Sequence, residues 1–166
     1  MERLGIIMDK EQIREYTARI SQSNKSGLVT IIYELFAYSI DMAEQAFNSN
    51  DKDKAVKYLR KAQDCVCELK RSLDFHYDIS YNLASLYKYV HGHIITSITR
   101  QAPVNFDEIR KVMGALHESF IEVAKQDNSS AVMQNTQQVY AGLTYGRGTL
   151  NEVFMNPNEY ARGFKA

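Results

Sequence analysis

The sequence predicts an all-α fold: an antiparallel up-and-down bundle of four main helices, with a short N-terminal helix and a C-terminal extension outside the bundle. Pro103 is the only proline before Pro157, so long tracts of the 166-residue chain contain no helix breaker. Apolar residues in these tracts recur at spacings of three and four, the period of an amphipathic helix. Short connections between them favour antiparallel neighbours. We therefore predict a bundle domain over residues 1–127 and a partly extended or flexible extension over 128–166.

The first three helices are predicted from their caps and apolar stripes. A short helix begins near Asp9, which can cap it. The second helix runs from Ser26 to Asn48 and carries two adjacent apolar stripes. Asn50 and Asp51 make a turn and a cap, and the third helix that follows has a single apolar stripe opposite a charged face.

Two further helices complete the predicted bundle. The fourth runs from about Asp78 to Arg100, just before the proline. Its inward residues are predicted to be Ile79, Leu83, Leu86, Val90, Ile94 and Ile98. The fifth starts at a capping box formed by Asn105 and Glu108 and continues to about Asp127.

Charge and hydropathy exclude several classes of partner. Twenty basic residues balance twenty acidic ones, so the chain has no overall field for nucleic acid or an anionic membrane. No apolar run is long enough for membrane insertion, and the apolar run in the start, MERLGIIMDK, is too short for a signal peptide. We therefore expect a cytoplasmic protein. The glycine pair around Arg147 lacks the context of a phosphate cradle, so we expect no small-molecule substrate.

The cysteines and histidines do not form a predicted metal or cofactor site. Cys65 and Cys67 lie two residues apart on one helix, so their side chains point about 200° apart. Cys65 borders the apolar stripe, where a free cysteine acts as a small hydrophobe. His91 and His93 have the same offset, and the lone His117 is predicted to be a polar group at the edge of the core. We expect no metal, no cofactor and no catalysis.

One spacing supports a rival function. Arg71 and His76 fit the Arg-x4-His spacing of the HEPN ribonucleases, which are also helical bundles. In such a site arginine would stabilise phosphate charge and histidine would move a proton. The HEPN-type ribonuclease is therefore the alternative to a binding protein.

The second helix predicts a binding surface, because its apolar face is wider than a bundle helix needs. One interpretation is that it is the central helix, touched by three others. The other is an open groove for an apolar partner helix. The groove is predicted to be lined by residues of the second and fourth helices: Val29, Ile32, Tyr33, Phe36, Ile40, Phe47, Tyr81, Tyr87, Val90, Ile94 and Ile95.

Three segments together carry a family likeness. They are GLVTIIYELFAYSIDMAEQA, KYLRKAQDCVCELKRSLDF and ISYNLASLYKYV, in that order. Their order and spacing resemble the FliS family of flagellar secretion chaperones. The resemblance implies a cytoplasmic helical bundle that binds the disordered C-terminal segment of flagellin and prevents its premature polymerisation. It also implies delivery of flagellin to a component of the flagellar export gate.

The extension carries an alternating apolar pattern that would be costly to leave in water. We predict that this pattern occupies part of the groove when flagellin is absent and is displaced by it. The predicted self-masking residues are Val139, Tyr140, Leu143, Tyr145, Leu150 and Phe154.

Overall fold

The structure, a computed structural model, describes residues 10–133, all of which lie in the first of the two units into which the chain divides, Met1–Gln134. Five helices make up most of this range: α1 (Lys10–Gln22), α2 (Lys25–Asn48), α3 (Lys52–Arg71), α4 (Ile79–Arg100) and α5 (Phe106–Gln126). No strand occurs within residues 10–133. The all-α class is confirmed for this part of the chain.

Side-chain caps fix the starts of α2 and α3. Asn24 Oδ1 accepts a hydrogen bond from the backbone N–H of Gly27 at 2.9 Å, so α2 begins one residue earlier than predicted. Asp51 Oδ1 accepts from the backbone N–H of Lys54 at 3.0 Å, which confirms the predicted cap. Both bonds satisfy a backbone donor that has no partner inside the helix.

The predicted capping box of α5 is wrong, although the helix starts where it was expected. Asn105 has a left-handed backbone, with φ 54°, and its side chain makes no cap hydrogen bond. The Glu108 carboxylate instead accepts a hydrogen bond from the Tyr89 hydroxyl of α4 at 2.6 Å. The glutamate therefore ties two helices together rather than closing the start of its own.

The helix α2 lies at the centre of the fold. It packs most extensively against α3, then against α5, and α1 also lies against it. Arg19 of α1 donates two hydrogen bonds to the Glu34 carboxylate of α2, at 2.6 and 2.7 Å. The pKa of Tyr16, on the same helix, is raised by burial and then by the nearby Glu34 charge. Three neighbours therefore cover the wide apolar face that the sequence shows.

Ring contacts and ion pairs show that α2 and α5 run in opposite directions. Near the end of α2, Phe47 meets Phe106 with ring centroids 6.4 Å apart. Near its start, Tyr33 meets Phe120 at 5.5 Å. Between these points Arg110 binds Asp41 and Glu44.

The helix α4 has fewer neighbours than α2. It packs chiefly against α3, where Gln63 Nε2 lies 3.2 Å from His91 Nε2, and it touches α5 at few positions. The residues it buries are Ser80, Tyr87, Val90, Ile94 and Ser97. One side of α4 is consequently left facing outward.

The predicted inward face of α4 is partly wrong. Val90 and Ile94 are buried as expected, but Ile79 is 64% exposed and Leu86 is 37% exposed. Ser80 and Tyr87 take their places, one position further along the helix. The hydroxyl of Tyr87 meets that of Tyr33 on α2 at 2.5 Å, so the inward position of Tyr87 gives both buried hydroxyls a partner.

Candidate partner-binding surface

Large exposed apolar side chains of the described residues are concentrated in one part of the chain. Seven of the ten belong to residues 75–95, in the turn before α4 and on α4 itself. We call the five on the helix the α4 surface: Ile79, Tyr81, Leu86, Tyr89 and Ile95. Phe75 and Tyr77 extend it onto the preceding turn, where the Phe75 ring meets the Tyr81 ring edge-on at 5.2 Å. Exposed apolar area of this kind is a common sign of a surface that receives another chain.

More than half of the predicted groove residues do not line an open groove. The six that the structure buries in the core are Tyr33, Phe36, Ile40, Tyr87, Val90 and Ile94, each at most 1% exposed. A place in an open groove is therefore wrong for these six residues, because neighbouring helices cover the wide face of α2 and the buried side of α4 belongs to the same core. Val29, Ile32 and Phe47 are partly buried against the same core. Tyr81 and Ile95 are exposed on the α4 surface.

Two buried tyrosines form the polar centre of the core. The hydroxyls of Tyr33 and Tyr87 satisfy each other. Burial raises the pKa of Tyr33, and its hydrogen bond with Tyr87 raises it further. The pKa of Tyr87 is also raised by burial. Both groups therefore stay neutral, as buried phenols must when no charge compensates them.

His117 stacks on the Tyr33 ring at a centroid distance of 5.8 Å and is partly buried. Its Nε2 atom is buried and has no hydrogen-bond partner within residues 10–133. This position agrees with a polar group at the edge of the core rather than with a base aligned on a substrate.

A shallow depression interrupts the α4 surface at Gly92. Its walls are Ser85, Lys88, Tyr89, His93 and Thr96. A methyl group added to Gly92 would meet no atom within 4 Å. The Tyr89 ring stands edge-on to His93 at 4.5 Å, and the Tyr89 hydroxyl is held by Glu108, which raises the pKa of that tyrosine. One wall of the depression is therefore fixed in place.

The ribonuclease spacing does not correspond to a shared site in the structure. Arg71 ends α3 and pairs with Glu68. His76 lies in the following turn with its ring Nδ1 2.6 Å from Asp74. The pKa of Asp74 is lowered, first by the hydrogen bond from the His76 backbone and then by the His76 ring. Each candidate catalytic residue thus has its own carboxylate partner, and no described contact joins the two.

The remaining chemical candidates have local structural roles. Burial raises the pKa of the Cys65 thiol to about 12, while Cys67 is partly exposed. His93 contacts Asn105 at 3.3 Å. Within residues 10–133 no cluster of His, Cys, Asp and Glu could hold a metal ion. None of the helices in this range is long and apolar enough to span a membrane.

Comparison with known families decides which class of helical protein this is. The family model described as flagellar protein FliS matches residues 8–127, which is most of the chain. This chain belongs to the FliS family. FliS proteins are flagellar chaperones that bind flagellin, so the family is one of chaperones and not of enzymes. None of the curated proteins compared matches the chain.

The FliS match ends at Asp127, but described contacts continue beyond it. Ser26 donates a hydrogen bond to the Asp127 carboxylate at 2.6 Å, and the Val132 N–H donates to the Ser23 carbonyl at 3.1 Å. The pKa of Asp127 is lowered to about 2, chiefly by hydrogen bonds from Ser129 and Ser26. The start of the predicted extension is thus attached to the α1–α2 turn and to the first turn of α2, and the domain boundary at residue 127 stays a prediction.

The predicted self-masking residues lie outside the described residues. They are Val139, Tyr140, Leu143, Tyr145, Leu150 and Phe154.

The exposed residues that sequence reasoning missed are Phe75, Tyr77, Ile79, Leu86 and Tyr89. The only signal was LYKY, residues 86–89 of the ISYNLASLYKYV segment of the FliS resemblance, and it covers Leu86 and Tyr89 alone. The structure splits it, with Tyr87 facing the core and Tyr89 facing outward.

Proposed function

We propose that this FliS-family chain is a cytoplasmic chaperone that binds the C-terminal segment of flagellin on the α4 surface. By covering that segment it prevents premature polymerisation and aids delivery to a component of the flagellar export gate. The observation that carries the proposal is the concentration of exposed apolar side chains on α4, in a member of a flagellin-binding family.

The physical requirement for such a client is a long apolar contact. A disordered segment that becomes helical on binding loses roughly 1 to 2 kcal/mol of backbone entropy per ordered residue. Burial of apolar area returns about 25 cal/mol per Å². The helix α4 has 22 residues, which is long enough for a guest helix to contact it over several turns. Among the residues predicted to line the groove, Tyr81 is the most exposed, at 59%.

The test measures binding of a flagellin C-terminal peptide to the full chain. We expect helicity in the mixture to exceed the sum of the separate components by circular dichroism. Tyr81→Ser and Ile95→Ser should each weaken binding about fivefold or more, since each removes a side chain worth roughly 1 to 2 kcal/mol when buried. The control is Val123→Ser, an equally exposed apolar residue on α5. Equal effects at all three positions, or no gain in helicity, would reject the α4 surface as the flagellin site.

The self-masking hypothesis for the extension is tested separately. If its apolar residues compete with flagellin, a chain that ends at Gln134 should bind the flagellin peptide more tightly than the full chain. The comparison retains the described contacts of Asp127 and Val132 with the α1–α2 turn. Unchanged or weaker binding would reject self-masking and leave the proposed chaperone function standing.

A further inference from the structure

We propose that the α4 surface selects a guest helix whose apolar stripe is flanked by acidic side chains, and that one large apolar guest side chain sits over Gly92. The inference rests on the proposed function only in taking flagellin as the natural guest. The charge pattern and the depression are features of this chain.

The charge pattern of α4 is one-sided. Between Ile79 and Arg100 the sequence contains no aspartate or glutamate. Lys88 lies in the middle of the helix and Arg100 at its end. Tyr81, Lys88 and Ile95 are seven residues apart, a spacing that keeps them on one line along the helix. The basic group of Lys88 is therefore placed between two exposed apolar side chains, and it forms no ion pair with any residue from 10 to 133.

The neighbouring helix adds to this field. In α3 there are seven basic and three acidic residues, although the whole chain has no net charge. Lys57 and Arg60 are exposed there and have no ion-pair partner among the described residues. Of the three acidic side chains of α3, Glu68 pairs with Arg71, and Glu108 of α5 accepts from Tyr89 and keeps its negative charge. An acidic flank on the guest would meet the positive charge of Lys88 in the middle of the α4 surface, whereas a basic flank there would be repelled by it.

The depression at Gly92 supplies a position for an anchor. Glycine costs helix stability in a helix interior, and nothing near Gly92 would clash with a side chain there. Its effect is to leave a recess bounded by Tyr89 and Thr96 next to Lys88. Interfaces are commonly anchored by one large side chain that fills such a recess. The recess and the positive charge thus describe the same guest: an amphipathic helix with a bulky apolar residue and acidic neighbours.

The charge test uses the full chain and two synthetic amphipathic peptides with the same apolar stripe, one flanked by Glu and one by Lys. The Glu-flanked peptide should bind at least tenfold more tightly at low salt, and the difference should shrink as salt increases. Lys88→Glu should weaken binding of that peptide and of the flagellin C-terminal peptide roughly tenfold. The matched control is Lys111→Glu, which reverses an exposed lysine on α5 and should change binding less than twofold.

The recess is tested by two substitutions at one position. Gly92→Ala adds a methyl group in open space, so it should raise the melting temperature and leave binding nearly unchanged. Gly92→Leu should keep the fold, as judged by the melting temperature, but fill the recess and weaken binding at least fivefold. Wild-type affinity in Gly92→Leu would overturn the anchor.

The outcomes separate the two proposals. If the Glu-flanked peptide binds selectively but the flagellin peptide does not, the proposed function fails and the inference stands. If flagellin binds but the two synthetic peptides bind alike, or if Lys88→Glu behaves like Lys111→Glu, the inference is overturned and the proposed function stands. Failure of all three peptides to bind overturns both.

Discussion

The helices α2 and α4 make an instructive comparison, because both carry broad apolar character and only one of them keeps it exposed. On α2 the apolar residues are covered by α1, α3 and α5, and Ile40 has no exposed surface. On α4, where α3 is the main neighbour, Tyr81 and Ile95 remain open to solvent. The breadth of an apolar face therefore does not identify a binding surface. The number of neighbours that a helix has within its own fold determines how much of that face stays exposed.

The largest expected effect is on stability and comes from the core side of this comparison. Phe36→Ala on α2 should lower the free energy of unfolding by about 3 to 5 kcal/mol, because it leaves a cavity at a site that is 1% exposed. Tyr81→Ala on α4 should change it by about 0.5 kcal/mol or less. Urea unfolding of the two variants measures both values. Similar losses would mean that Tyr81 belongs to the core.

The next effect concerns the hydroxyl pair that joins the two helices. Tyr33→Phe leaves the Tyr87 hydroxyl buried without its partner, so it should lower the free energy of unfolding by about 1 to 3 kcal/mol. The double variant Tyr33→Phe/Tyr87→Phe should recover part of this loss, because no polar group is then left unpaired. Additive losses in the double variant would show that the hydroxyls do not depend on each other.

This pair also explains what the sequence could not predict about α4. Its helix limits, the cap at Asp51 and the all-α class follow from local signals and were predictable. Two pairs on α4 have the same spacing of seven: Ile79 with Leu86, and Ser80 with Tyr87. Periodicity alone therefore favours the more apolar pair, Ile79 and Leu86, for the inward face. The inward set includes Tyr87, whose hydroxyl has its partner, Tyr33, on another helix, and such a pairing is tertiary information.

The same limit applies to the predicted groove on α2. The first helix shows a weak apolar stripe, and nothing in it indicates that Arg19 will dock on Glu34. A sequence can show that α2 has more apolar surface than one neighbour could cover, but the count of its neighbours is a property of the assembled fold. The central-helix interpretation, one of the two that the sequence left open, is the one that the structure supports.

A smaller effect should follow from loosening the third neighbour of α2. Arg19→Ala removes the paired hydrogen bonds to Glu34. Because the side chains of Arg19 and Glu34 are both partly exposed, the free energy of unfolding should fall by about 1 kcal/mol or less. Amide exchange should accelerate in α1 while α3 and α4 keep their protection. Uniform acceleration across all the helices would show that α1 and the core unfold together.

The smallest expected effect on stability at neutral pH concerns the two cysteines of α3, of which Cys65 is buried and Cys67 is partly exposed. Burial raises the pKa of Cys65 to about 12 from an ordinary value of 9.0, so the folded state retains that proton above the pH at which the unfolded state loses it. The contribution of Cys65 to stability should be intact below pH 9 and decrease as the pH rises toward 12.

At pH 8 an alkylating reagent should modify Cys67 first and reach Cys65 only under denaturing conditions, as mass spectrometry of the two peptides would show. In Cys65→Val the decrease in stability above pH 9 should become shallower. In Cys67→Val more of that decrease should remain. Equal labelling of both thiols in the native chain would contradict this prediction, because it would mean that Cys65 is as accessible to solvent as Cys67.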